Sequence, residues 1–540
     1  MKTLITIGLS LILGLAYYSS TELQSAEKAP LQNYEKTYTC GSTNIYSPSS
    51  IEQVQDIVKA ARATGKKVMT GSEKFASQLD AACADKGQIQ ITMKNLNKVV
   101  EINKDDMTVT AQAGLRFFEL NNALDKERLA VNMVTELNVF TLGGMLGSGT
   151  HGSTIQAKSA IIADYVTSLK IVDGYGNLRT LTGLELDKAR VNLGVLGVVV
   201  EMTIELVDAY KIKATQLNSS SDDDLEEKIL SFPENNYSAS VAWFPGLKTY
   251  TATLYNKVDY DTEGDAYNAQ ADAAAWKFYA YKTLNRFGHS STFGSCMTAR
   301  FRYMTRKNPF FKSQSTDKYI KGDATGKWHQ TQFFQCKKKD GKDVCAWEFF
   351  PIKLEEIGIA YEDTIDAIKD IRSIIAEKKS CFPLNGVYFR FSNASDSILA
   401  MNAGKKSTFF SIEYALNPNG KAPANYDVFQ EIEQMLLKKY NGRPHFGKNS
   451  VPVFLGVKEK FPRFDEFLEF KSELDPDNVF TNNFWERIVK DELSSETMSK
   501  IYQDRCVDKD TCYCKEDSHC PKGTTCQSGR FFEEARICRK

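Results

Sequence analysis

Residues 141–154 read TLGGMLGSGTHGST, and no other stretch limits the possible folds of this chain so strongly. Gly143, Gly144, Gly147, Gly149 and Gly152 permit backbone angles and close ligand approach that bulkier residues resist. Their exposed amides, with the hydroxyls of Ser148, Thr150 and Ser153, suit a pyrophosphate. The run from Gly147 to Gly152 satisfies GxGxxG literally, yet the setting of a dinucleotide-binding βαβ unit is missing. No clear strand ends at Gly147, no long helix begins after Gly152, and no acidic residue follows on a strand end about 20 residues later. Dinucleotide binding and a structural glycine-rich turn both remain open.

The flanking periodicity gives the fold class. Ser50 and Gln53 form a capping box, and Ile51, Val54, Ile57, Val58 and Ala61 recur at helical spacing until Gly65. Strand-like runs follow at 67–70, 88–93, 99–103 and 107–113, then a helix at 115–124. Beyond the glycines come strands at 165–172, 178–181 and 198–206. Helices and strands mix without a βαβ rhythm, so the class is α+β rather than doubly wound. A polar stretch at 218–227 marks a domain boundary, and a second α+β region rich in aromatic residues extends to about residue 495. Its clearest expected helices span 355–378 and 426–439.

Cysteines and the N-terminus point to one compartment. Met1-Lys2, an apolar run over residues 4–16 and a small, polar exit near Ala26 read as a secretory signal peptide, with a buried helix or an anchor as the alternatives. Cys506, Cys512, Cys514, Cys520, Cys526 and Cys538 crowd into the last 35 residues. So small a segment cannot hold a core alone and is expected to be stapled by disulfides whose pairing is open. Zinc is the rival, through Cys512, Cys514, His519 and Cys520, but the spacing fits no zinc-finger pattern. Upstream, Cys336 and Cys345 flank an Asp340-Gly341 turn signal and suit a bridge across a hairpin. Cys40 with Cys83 is a weaker pairing. Sequons at Asn218, Asn236 and Asn393 are candidate glycan sites.

Lys plus Arg and Asp plus Glu both number 68, so a dedicated nucleic-acid binder, with its basic excess, is excluded. No segment after the N-terminus approaches the roughly 20 apolar residues of a membrane span.

Several separated motifs carry a resemblance. PSSIEQVQDIVKAA at 48–61, GGMLGSGTHGS at 143–153 and NLGVLGVVVEMTIEL at 192–206 resemble the FAD-binding domain of the vanillyl-alcohol-oxidase type. NGVYFRF at 385–391, EIEQMLLKKYNGRPHFGKN at 431–449 and DPDNVF at 475–480 are similar to the aldonolactone oxidases. CYCKEDSHC and ARIC are similar to the cysteine-rich end of plant-type L-gulono-1,4-lactone oxidases. The motifs fall in order over about residues 40–540.

The resemblance implies a two-part FAD-binding domain with an α+β cap and a disulfide-rich tail. Its boundaries are 1–26 for the signal peptide, 27–215 for the FAD domain, 216–440 for the cap, 441–495 for a return to the FAD site and 496–540 for the tail. It assigns Gly71, Ser72, Glu73 and Lys74, the glycine stretch Gly143 to Ser153 and Gly197-Val198 to FAD. His151 is expected on the cofactor. Many family members carry a histidine bonded covalently to flavin where this chain has Lys74, so FAD is expected to be non-covalent. Relatives use Glu-x-Arg on a catalytic strand; here Tyr388-Phe389-Arg390 keeps the arginine and loses the glutamate. Alternation puts Tyr388 and Arg390 on one face. His445 and Lys448 match a His-Trp-x-Lys pattern with Phe446 in place of tryptophan. Arg390 would stabilise negative charge on the flavin or on a developing alkoxide, and Lys448 would hydrogen-bond the flavin N5 region or a substrate oxygen. His445 would either assist deprotonation of the substrate or position Lys448, and Tyr388 would be an aromatic wall or a hydrogen-bonding partner.

The activity implied is oxidation of a sugar-derived aldono-1,4-lactone by hydride transfer to FAD, with molecular oxygen as acceptor and no metal. The alternatives are another carbohydrate or alditol as substrate, or a secreted binding protein without turnover. The compartment expected is the secretory pathway, either the endoplasmic reticulum lumen or outside the cell.

Overall fold

The computed structural model describes residues 30–540 apart from 34–38, 72–79, 134, 220, 271–282, 285–287, 289–290, 308–309, 335–336, 340–341, 345–351, 377–380, 383–384, 416–424 and 491–492. Near the N-terminus, β1 (Asn44–Tyr46), β2 (Val68–Thr70) and β3 (Ile89–Ile91) form a small parallel sheet in the order β1-β3-β2. Helix α1 (Ile51–Ala63) starts where Ser50 Oγ accepts from Gln53 N–H at 3.3 Å and Gln53 Oε1 accepts from Ser49 N–H at 2.8 Å. The first bond satisfies a donor the helix start would leave orphaned, and the second ties down the residue before the cap. Its Val54, Ile57, Val58 and Ala61 are buried in one core with Val68, Ile91 and Phe480. Burial of each larger side chain contributes about 1.5–3 kcal/mol.

A second sheet of five antiparallel strands follows: β4 (Val99–Asn103), β5 (Thr108–Gln112), β6 (Val166–Val172), β7 (Leu178–Leu181) and β8 (Val198–Glu205), ordered β4-β5-β8-β6-β7. The glycine stretch forms the short helix α2 (Leu142–Ser148) against this sheet. Phe446, Phe454, Phe461, Phe467 and Trp485 of the segment after residue 441 share the same core.

The largest sheet has eight antiparallel strands: β9 (Lys211–Asn218), β10 (Ser238–Phe244), β11 (Thr249–Val258), β12 (Ala324–Lys327), β13 (Ile352–Ala360), β14 (Val387–Ser392), β15 (Ser407–Ala415) and β16 (Arg443–Pro444). Their order is β12-β9-β11-β10-β14-β15-β13-β16. The register aligns Glu356 with Ser411, Ser411 with Tyr388 and Tyr388 with Ala242. Because side chains alternate, Ser240, Arg390, Phe409 and Glu356 share one face. Val241, Phe389, Phe410 and Ile357 take the other, where they share a core with residues of α4 (Thr364–Ala376) and α5 (Tyr426–Lys438). Helix α3 (Thr292–Lys307) precedes both.

Three sequence expectations need correction. The helix expected over 355–378 is a strand to Ala360 and a helix only from Thr364. The polar stretch at 218–227 is docked rather than a linker: buried Asp222 accepts from Trp243 Nε1 at 2.7 Å and Arg372 Nη1 at 2.8 Å, while β9 already belongs to the eight-stranded sheet. Asn393 turns its amide inward, donating to Ile155 O at 2.9 Å and Ala157 O at 2.7 Å, which leaves no room for a glycan on that nitrogen. The 337–344 hairpin forms, with Lys337–Lys339 against Lys342–Val344; Cys336 and Cys345 lie outside the described residues.

The tail is stapled by Cys506–Cys512, Cys514–Cys526 and Cys520–Cys538. Cys40 pairs with Cys83, and Cys296 of α3 pairs with Cys381, a bridge the sequence did not suggest. The hairpin of β17 (Thr525–Ser528) and β18 (Arg536–Arg539) lies on α5, where Glu431 accepts from Phe531 N–H at 2.7 Å and Phe532 N–H at 2.9 Å. Beneath it, Lys353 pairs with Asp510, and Tyr513 donates to Glu433 Oε1 at 2.5 Å.

That buried cluster makes stability depend on pH. Burial, and then the repulsion of Glu433, pushes the Glu355 carboxyl well above the usual range, and burial raises Glu433 as well. The folded chain therefore holds a proton that the unfolded chain releases, so this stabilisation is complete below the ordinary glutamate range and fades as pH rises through the folded value. Glu433→Gln keeps a neutral acceptor for Tyr513. Thermal melts over about pH 5 to 8 should show a flatter decline for that variant than for the parent chain; parallel curves would contradict the shared proton.

Candidate active site

Three backbone segments converge on the glycine stretch. Thr141 Oγ1 caps α2 from Gly144 N–H at 3.3 Å, and Gly149 ends the helix at φ +70°, a left-handed angle that glycine adopts without penalty. Leu193 N–H donates to Gly147 O at 3.0 Å, and Gly194 approaches so near Thr70 that an added Cβ would lie 3.3 Å from its hydroxyl. The end of β2 with Gly71, the loop 192–197 and residues 147–153 are thereby brought together. Gly197, at φ +152°, lets β8 begin where a side chain would strike Val172 O at 2.6 Å. Val198 then pairs with Val172. Gly143 packs on Ala113 and donates to its carbonyl at 2.8 Å.

The 445–448 segment lies alongside. A Cβ on Gly447 would sit 3.2 Å from Ser148 Cβ. Asn449, at φ +75°, fastens this segment to β13: its Oδ1 accepts from Glu356 N–H at 2.8 Å, and its Nδ2 donates to Glu356 O at 3.0 Å and His445 O at 2.9 Å.

At the centre stands Glu356, fully buried. It accepts from Arg390 Nη1 at 3.0 Å and His151 Nε2 at 3.0 Å, and also pairs with the Lys448 ammonium. Burial works against its charge, but Lys448, His151 and Arg390 hold the carboxyl well below the usual range. The other amine of Arg390 donates to Glu136 at 2.6 Å. Burial works against the guanidinium as well, and the two carboxylates more than offset it, so Arg390 stays charged. The sequence therefore misled on one point: the strand lacks its neighbouring glutamate, but Glu356 reaches the arginine from β13. Glu356, Glu136 and Asn449 were all missed. Strand alternation at 352–360 was the signal that would have found Glu356.

His151 is tied to Glu356. Its Nδ1 lies 2.9 Å from Gly152 O and its Nε2 lies 3.0 Å from the Glu356 carboxylate, so both ring nitrogens are engaged. It also meets the Phe409 ring edge-on at 4.4 Å. Burial, and next the Lys448 ammonium, pushes His445 well below its ordinary value. Its Nδ1 accepts from Gly447 N–H at 2.9 Å, which puts the proton of the neutral ring on Nε2. His445 thus serves to hold the turn carrying Lys448, whose N–H donates to His445 O at 3.1 Å.

The remaining assignments divide. Ser148 Oγ and Thr150 Oγ1 lie 3.2 Å apart and half-buried. The Ser153 hydroxyl donates to Ala239 O and accepts from Phe391 N–H at 3.1 Å, so it ties the loop to the large sheet. Gly152 N–H donates to Ala160 O at 2.7 Å. Tyr388 is buried beside Phe244, with its hydroxyl donated to Asn385 O at 2.8 Å, and so forms a wall rather than a polar partner. Ser72, Glu73 and Lys74 lie outside the described residues.

The residues fit a flavin dinucleotide. Residues 141–154 contain no acidic side chain, present two half-buried hydroxyls, and leave Gly147 with nothing nearer than 3.5 Å to an added Cβ. An anionic diphosphate suits that surface. The 147–153 segment and loop 192–197 would hold its phosphates, and Lys448 and Arg390 would face its redox end. A metal ion suits the site less well. His151, Glu356 and His445 bring three ligand atoms within 4.8 Å of one another, but the Lys448 ammonium already occupies the carboxylate oxygen such an ion would need.

Comparison with known proteins agrees with this geometry. Residues 43–182 match the family described as FAD binding domain, residues 202–488 that of D-arabinono-1,4-lactone oxidase, and residues 503–540 the C-terminal domain of L-gulonolactone oxidase 2-like proteins. The chain is 28% identical to L-gulonolactone oxidase 2 of Arabidopsis thaliana over 485 residues, covering 84% of this chain and 81% of that protein. It is 26% identical to L-gulonolactone oxidase of Mus musculus, covering 85% and 97%. Among solved structures, the cholesterol oxidase of B. sterolicum superimposes with a TM-score of 0.67 at 17% identity, over 85% of this chain and 96% of that one. That likeness establishes the fold. With its FAD-binding domain in front and its cap and C-terminal return matched over 202–488, this chain belongs to the D-arabinono-1,4-lactone oxidase family.

Proposed function

We propose that the chain is a FAD-dependent oxidase of aldono-1,4-lactones, acting on a lactone of the L-gulono-1,4-lactone type with molecular oxygen as acceptor. The observation that carries this reading is the buried Arg390–Glu356–Lys448 assembly set beside the glycine stretch. FAD, when bound, supplies the two-electron acceptor that side chains lack. The chain itself supplies charge and orientation. Arg390 and Lys448 place positive charge where a substrate oxygen gains negative charge, and Glu356 holds both cations in position. Glu356 is too strongly held in its ionised form to act as a base, so the hydroxyl proton leaves to water. Oxidation at C2 with oxygen as acceptor gives a 2-keto-lactone and hydrogen peroxide, and the keto-lactone enolises to an ascorbate-type product. The names of the Arabidopsis and mouse relatives support this substrate class. Peroxide release with L-gulono-1,4-lactone should exceed that with alditols at least tenfold; the reverse order would assign the site to alditols.

FAD is held without a covalent bond in this reading. Lys74 stands where relatives carry the linking histidine, and an ammonium is a poor nucleophile. Both ring nitrogens of His151 are engaged. Acid precipitation should release the yellow colour into the supernatant; colour retained in the pellet would contradict this.

The protein is also assigned to the secretory pathway. The N-terminal apolar run and the disulfides support this, and no helix among the described residues is long and apolar enough to cross a membrane. Asn218 is the exposed sequon. Glycosidase should shift the mobility of protein from a secreting host, but not that of Asn218→Gln if this is its one glycan; an unshifted parent protein would count against the assignment.

A further inference from the structure

Arg390 is gripped from two sides, and only one grip belongs to the buried assembly. Glu356, on the flavin side, is wholly enclosed. Glu136, on the other, comes from the loop preceding α2, which is anchored by Phe334 N–H donating to Glu136 O at 2.9 Å. Its carboxylate accepts from Arg390 Nη2 at 2.6 Å and from Ser240 Oγ at 3.2 Å. Two acceptor oxygens offer about four lone pairs, so two hydrogen bonds leave capacity unused. The Glu136 side chain is 25% exposed and that of Lys448 is 21% exposed, although both sit among buried strands and are joined through Arg390 and Glu356. Both are thus partly open, while the Glu356 that links Lys448 to Arg390 is enclosed. Arg306 of α3, stacked over the Tyr388 ring at 4.7 Å, adds a cation near Glu136. Burial works against the charge of Glu136, but Arg390 and then Arg306 keep it ionised.

We infer that Glu136 is a substrate-binding residue: with one oxygen on Arg390, it offers its remaining acceptor capacity to a ring or side-chain hydroxyl of the lactone. A carboxylate that accepts hydroxyl donors while orienting an arginine selects for polyhydroxylated substrates. The inference rests on the lactone-oxidation reading above.

The test compares the parent enzyme with Glu136→Gln on two lactones: L-gulono-1,4-lactone, and 2-hydroxy-γ-butyrolactone, which keeps the ring and the C2 hydroxyl but lacks the others. Glu136→Gln should raise KM for the first about tenfold or more, the value of one charged hydrogen bond, with kcat changed less than threefold. For the second, measured as substrate or as competitive inhibitor, the variant should differ from the parent less than twofold. Equal losses with both lactones, or a fall in kcat alone, would reduce Glu136 to a structural support of Arg390 and overturn the inference. No loss with either would also overturn it. A parent enzyme inert to both lactones would instead defeat the reading of the reaction, and this inference with it.

Discussion

Glu356→Gln is expected to slow anaerobic flavin reduction by the lactone about 10²–10³-fold, the scale seen when an aligned charge is removed from a reacting centre. It should also destabilise the protein by about 3–5 kcal/mol, because Lys448 and His151 would lose their buried carboxylate and Arg390 would keep only Glu136. Stopped-flow absorbance gives the first quantity and denaturant unfolding the second. Both losses should appear together, since one side chain fixes Arg390 and Lys448. A variant of normal stability and normal reduction rate would show that Glu356 is incidental to the site.

Lys448→Met should separate those two effects. Lys448 is 21% exposed, and its loss leaves Glu356 still paired with Arg390 and His151. Stability should therefore fall by only about 1–2 kcal/mol. Flavin reduction should slow about 10²-fold or more, with flavin still bound, because the cation facing the developing charge is gone. An unchanged rate would remove Lys448 from the chemistry and leave Arg390 as the sole electrostatic element.

Much of this was legible in the sequence. The helix start at Ser50 and most strands of the first domain were found, because local patterns specify them. Gln53, however, bonds Ser49 rather than closing the box on Ser50, and the short strand Asn44–Tyr46 was missed. Arg390 and Lys448 were found through motif resemblance, and they meet through Glu356. The main miss has a physical cause. The run EEIGIAYEDTIDAIKD at 355–370 mixes strand and helix signals and was read as part of one helix. On a strand, Glu355 and Glu356 point to opposite faces, one toward the tail and one toward the flavin site. Glu136 was missed for a different reason: nothing in a loop sequence signals that it will meet an arginine 254 positions away. The Cys296–Cys381 bridge is hidden likewise, since pairing depends on how α3 packs against the large sheet.

In the proposed reaction, Arg390, Glu356 and Lys448 form a lactone-oxidising centre on bound FAD. The most direct test is the visible spectrum of the purified protein mixed anaerobically with L-gulono-1,4-lactone. The expected result is a bound oxidised flavin whose yellow colour bleaches on mixing and returns when oxygen is admitted. A protein that carries flavin but stays yellow with this lactone and its aldonolactone relatives, or one that binds no flavin at all, would contradict it.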